Sequence, residues 1–64
     1  MRDKIRKQLL KYIQPVTDSL VYQVEDRMAE GEKVEDIRAG IHFDGMFNRV
    51  VVWIKERKYN LYLK

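Results

Sequence analysis

Cysteine is absent from the chain, so no disulfide can brace the fold, and a reducing compartment suits it. A single histidine without cysteine leaves too few ligands for a structural zinc site. Glycine is scarce: Gly31, Gly40 and Gly45 are dispersed, and no glycine-rich phosphate loop can be drawn through them. Long hydrophobic runs are missing too. The longest strictly apolar stretch, Val50 to Ile54, is far too short to cross a bilayer. The first residues are charged and lack the uninterrupted apolar core of a signal peptide. These absences predict a soluble, cytoplasmic protein without a membrane segment, metal or small-molecule cofactor. No nucleophile stands at a defined spacing from a base, so an enzyme is not expected. His42 with Asp44 would be the best catalytic pair, and two such groups are too few for a site.

What is present is a chain of 64 residues, enough for one small domain over 1–64 with a thin core. With disulfides and metal excluded, self-association is the remaining way to supplement that core. The net charge of +3 is unevenly spread. Residues 1–15 carry +4, residues 16–36 carry −5 and residues 37–64 carry +4. Basic ends around an acidic middle attract one another within one fold or between copies. A plain nucleic-acid binder is more often basic throughout.

The hydrophobic period divides the chain in two. Ile5, Leu9 and Ile13 recur every fourth residue, and beyond Pro15 the spacing continues through Val16, Leu20, Val24 and Met28. Pro15 disfavours helical geometry at Gln14, while Thr17, Asp18 or Ser19 can cap a restart and Gly31 is a natural stop. The pattern predicts a kinked helix or a helix pair over 3–30. From 36 to 64 the period is two. Ile37, Ala39, Ile41 and Phe43 alternate with polar residues up to Asp44-Gly45, a pair preferred in two-residue hairpin turns where both positions have positive φ. That turn would pair Phe43 with Met46, Ile41 with Asn48, Ala39 with Val50 and Ile37 with Val52. A second two-residue turn near Arg57-Lys58 would pair Ile54 with Leu61, Val52 with Leu63 and Trp53 with Tyr62. The spacing of Val34 and Ile37 also allows a short helical turn there, the lesser alternative. The fold class is therefore α+β: an N-terminal kinked helix or helix pair packed on one face of a three-stranded antiparallel β-meander.

The predicted register collects Ile37, Ala39, Ile41, Phe43, Met46, Val50, Val52 and Ile54 on the helix side. It puts Arg38, His42, Phe47, Arg49, Val51, Trp53, Lys55, Tyr62 and Lys64 on the other side. Aromatic side chains among cations mark an interaction site, since Trp, Tyr and Arg often dominate binding energy at interfaces. The candidate binding residues are Arg38, His42, Phe47, Arg49, Trp53, Lys55 and Tyr62. Against that stands a structural reading, in which a helical segment wraps the second face and makes core of Trp53 and, more strongly, Phe47. The acidic residues Glu25, Asp26, Glu30, Glu32, Glu35 and Asp36 read as a solvated surface. The functional expectation is a small non-enzymatic regulatory protein that binds another protein, or itself, through the aromatic-cationic face. The alternative is a nucleic-acid-binding module that stacks bases and contacts phosphates with the same residues.

Overall fold

A computed structural model of the protein describes residues 1–63, apart from the Ala39 side chain. The expected places of Lys64 and of the Ala39 side chain lie outside the described residues. The periodic first half forms two helices, α1 (Arg2–Leu10) and α2 (Asp18–Arg27). The Gln14–Pro15 peptide in their connection is cis. Thr17 caps the restart, its Oγ1 accepting from the Leu20 N–H at 3.2 Å. Ion pairs join the helices: Arg2 Nε lies 3.2 Å from Glu25 Oε1, and Arg6 meets Asp18 while donating to the Val16 carbonyl at 2.6 Å. The basic start and the acidic middle thus meet within one fold.

α2 ends at Arg27, short of the expected residue 30. Gly31 has φ +85° in the loop that follows. Val34–Asp36 forms a 3-10 turn, so the lesser alternative holds over those residues. The residue before it is held locally, Lys33 N donating to Asp36 Oδ2 at 2.8 Å. Three antiparallel strands follow, β1 (Ile37–Asp44), β2 (Arg49–Ile54) and β3 (Arg57–Tyr62), in the spatial order β1-β2-β3. The architecture is the expected α+β helix pair on a three-stranded meander.

Both predicted turns are misplaced. The first connection is four residues long, Gly45 to Asn48, and pairs Asp44 with Arg49 and Phe43 with Val50. Gly45 does not have positive φ; Asn48 does, at 50°. The reason lies in the Asp44 side chain. Its Oδ1 accepts from Met46 N at 3.2 Å, and its Oδ2 from Arg49 Nε at 3.2 Å. This turns the chain one residue after Asp44 and closes the loop with an ion pair. Asn48 is fixed by a reciprocal bond, its carbonyl accepting from Leu63 N at 2.8 Å and its Nδ2 donating to Leu63 O at 2.9 Å. A β-bulge between Arg38 and His42 then shifts the register, so that Ile37 pairs with Ile54 and Arg38 with Trp53. Gly40 sits in the bulge at φ +104°. The second turn is Lys55-Glu56, with Lys55 at φ 57°, and pairs Ile54 with Arg57, Val50 with Leu61 and Arg49 with Tyr62.

The core lies between the helices and one sheet face. Ile5 and Leu9 of α1, with Leu20, Val21 and Val24 of α2, pack against Ile37, Ile41, Val50, Val52, Ile54 and Leu61. Phe43 and Met46, expected in that core, are 54% and 86% exposed. Phe43 shares the helix side with Val50 but lies near the turn, and Met46 belongs to the turn itself.

Candidate interaction face of the sheet

Side chains alternate along a strand, so the residues between the core positions point away from the helices. Cross-strand pairing sets them in three rows: Asp44–Arg49–Tyr62, His42–Val51–Asn60 and Arg38–Trp53–Lys58. Five expected binding residues, Arg38, His42, Arg49, Trp53 and Tyr62, lie on this grid. Trp53 pairs with Arg38 and Lys58, not with Tyr62. Two expected residues leave it. Lys55 belongs to the β2–β3 turn, and Phe47 to the β1–β2 turn. Phe47 is 58% exposed, so it is not core; its ring still borders the face, with the Arg49 guanidinium carbon 5.0 Å from its centroid. Lys58 was missed because the second turn had been placed over Arg57-Lys58; Asn60 already shared the face of Tyr62 by alternation but was left out of the expected set.

Each row has its own chemistry. In the first, Arg49 Nη2 is 3.1 Å from Asp44 Oδ2. The Tyr62 hydroxyl, and then Asp44, raise the Arg49 pKa above its ordinary value and keep the cation charged. In the second, His42 Nδ1 lies 3.2 Å from the Gly40 carbonyl oxygen, a geometry that suits an N–H on that nitrogen. Val51, at the centre of the grid, is only 2% exposed yet stands outside the main core cluster. Its neighbours on this face therefore shut water out. In the third row the Arg38 guanidinium carbon lies 4.7 Å from the Trp53 ring centroid. A Cβ added to Gly40 would lie 3.5 Å from Trp53 Cδ1. The indole, half-buried, is held between a cation and the backbone of the bulge.

No protein-family model, curated protein or solved structure matches the chain.

Charge on the grid is uneven in its pairing. Asp44 is its one carboxylate and is taken up by Arg49, while Arg38 and Lys58 have no ion-pair partner among the described residues. At the helix side of the sheet the acidic cluster proves partly internal. Glu32, expected on a solvated surface, is buried. Its Oε1 accepts from Ala29 N at 2.6 Å and from Arg57 Nη2 at 2.5 Å. The Ala29 N–H first, and the Arg57 guanidinium next, hold the carboxyl below its ordinary pKa. Arg57 also donates to the Tyr59 hydroxyl at 2.8 Å. This cluster fastens the loop after α2 to the start of β3. No helix among the described residues is long and apolar enough to cross a membrane.

Proposed function

We propose that this protein is a small non-enzymatic interaction module that docks a partner protein on the outer face of its sheet. The observation that carries the reading is the grid itself, a whole sheet side left bare by both helices. Its centre, Val51, is dry before any partner arrives, and Tyr62 and the bordering Phe47 are 57% and 58% exposed. Arg38, stacked on Trp53, and Lys58 supply cations that have no ion-pair partner among the described residues at one end. Interfaces combine these parts, a dry centre, aromatic anchors and a polar rim. The partner surface is acidic by complementarity to Arg38 and Lys58.

The nucleic-acid alternative has a specific obstacle in the third row. A base stacking on Trp53 would have to displace Arg38, and the Gly40 backbone lies close to the indole as well. The test uses the wild-type chain and an Arg38→Glu, Lys58→Glu double variant as baits in lysate with and without nuclease treatment. A common protein prey captured by the wild type and lost with the folded variant supports the reading. Equal capture by both baits, or disappearance of all captured material on nuclease treatment, overturns it. In the second outcome the prey was held through nucleic acid, and binding to oligonucleotides should then weaken steeply with salt.

A further inference from the structure

The two edges of the sheet are closed to different extents. Lys55 N donates to the Asp36 carbonyl at 2.8 Å, so odd-numbered residues of β2 bond towards β1 and even-numbered ones towards β3. Tyr59 and Leu61 then bond inwards to β2, and the backbone groups of Lys58, Asn60 and Tyr62 point out of the sheet. Each helix covers one outward carbonyl. Gln8 Nε2 of α1 donates to the Ile37 carbonyl of β1 at 2.8 Å, and Gln23 Nε2 of α2 donates to the Tyr62 carbonyl of β3 at 3.1 Å. The β1 edge is also broken by the bulge at Gly40, whereas β3 pairs with β2 without interruption from Arg57 to Tyr62. Along β3 the outward N–H and carbonyl of Lys58 and Asn60, and the N–H of Tyr62, have no partner among the described residues.

Cations flank this open edge on both sides of the sheet. Lys58 stands on the outer face. On the other side, α2 runs antiparallel to β3, because Gln23 reaches the end of the strand while Glu32, beyond the helix, reaches Arg57 at its start. Arg27 lies one turn beyond Gln23 on the same flank of α2, and so alongside β3. Arg27 and Lys58 are both exposed, and neither has an ion-pair partner among the described residues.

We infer that the partner enters as an extended acidic segment, adding a fourth strand at the free edge of β3. The edge selects the conformation, since a strand repeats its backbone donors and acceptors at the spacing of Lys58, Asn60 and Tyr62. The cations select the composition. Acidic side chains on one face of the added strand lie beside Lys58, and those on its other face lie towards Arg27. A second copy pairing through the same edge would bring its own Lys58 and Arg27 to an edge already lined by those cations. The inference rests on the proposed docking of an acidic partner at the outer face and names the form that partner takes. The added strand continues the Arg38–Trp53–Lys58 row with an acidic residue.

The test titrates the full chain with the capped peptide Glu-Glu-Val-Val-Glu-Glu, which carries acid on both faces, in low salt. At about 1 mM peptide, exchange of the Lys58, Asn60 and Tyr62 amide hydrogens should slow at least about twofold, as half-saturation requires. The outward amide of Phe43, on the β1 edge, should keep its rate. The peptide Lys-Lys-Val-Val-Lys-Lys should not bind. Asn60→Pro removes one outward N–H and spares the ladder bonds of Tyr59 and Leu61; it should weaken binding at least about threefold. Circular dichroism verifies its fold. Arg27→Glu, outside both the ladder and the outer face, should also weaken binding at least about threefold, and Arg27→Lys should not. Absence of binding up to about 1 mM overturns the inference, as do equal binding of the lysine peptide and wild-type affinity in both Asn60→Pro and Arg27→Glu. Resonance shifts at Trp53 without slowed exchange at the β3 amides overturn edge pairing alone and leave docking on the outer face standing.

Discussion

A methyl group added at Gly40 meets one obstacle, the backbone itself. The φ of +104° is one that residues with a Cβ rarely adopt, although the new atom would make only ordinary van der Waals contact with the Trp53 indole at 3.5 Å. Gly40→Ala is expected to lower the unfolding free energy by about 1–3 kcal/mol. At Gly45 the backbone has no positive φ, and the added Cβ would meet only the Phe43 ring, at 3.3 Å. That ring is half free and can swing aside, so Gly45→Ala should change stability by less than about 0.5 kcal/mol, as surface changes do. Urea titrations of both variants check the order. A larger loss at Gly45 would restore the tight two-residue turn that the Asp-Gly pair suggests. In sequence it is Gly45, after Asp44, that looks like the glycine with positive φ. What separates them is a bulge created by the pairing of β1 with β2, which no local pattern announces.

Among the elements, α2 depends on a start signal that is readable in the chain. Thr17 was one of three candidate caps, and its hydroxyl makes the bond. Thr17→Ala is expected to cost about 1 kcal/mol, whereas Ser19→Ala should cost little. Thermal melts of the two variants decide between them. The strands tell a different story. Each predicted turn was displaced by two residues, which slides the pairing by four, or by two beyond the bulge of β1, yet the inward and outward assignments of β2 and β3 survived. A slide by an even number keeps every side chain on its face, because the strand period is two. The hydrophobic alternation therefore revealed the faces but not the partners. Lys58 was lost to the site for that reason, and the expected Trp53–Tyr62 pair was replaced by Arg49–Tyr62. The Lys55-Glu56 turn has no residue that favours positive φ, so its position had no local signature.

At the scale of the whole molecule, the charge segregation is spent largely inside the chain, between α1 and α2 and between Glu32 and Arg57. The Glu32 carboxyl titrates below its ordinary value of 4.5 in the folded protein. A depressed folded pKa contributes stability that is fully present above the unfolded value and is lost as pH falls through the folded one. Wild-type stability should therefore drop below about pH 4.5, and Glu32→Gln should be less stable than wild type at neutral pH. The gap between the two should shrink in acid. Denaturant midpoints from neutral pH to about pH 3 measure this. A separation that stays constant with pH would remove the Glu32–Arg57 contact from the sources of acid sensitivity.

Local chemistry by itself determined the helical first half as a kinked helix or a pair, the change of period near residue 36, the meander and the aromatic-cationic residues of its second face. Period, capping and proline sterics act over a few residues, and those residues are adjacent in the chain. Only the tertiary structure decided the register, the bulge at Gly40, the burial of Glu32 and the exposure of Phe43 and Met46. Each of these depends on groups far apart in sequence, such as Arg57 reaching Glu32 or Leu63 closing on Asn48. Strand slides of an even number leave the hydrophobic pattern unchanged, so the pattern cannot choose among them. The long-range hydrogen bonds and ion pairs make that choice, and they place Lys58, but not Lys55, on the candidate face.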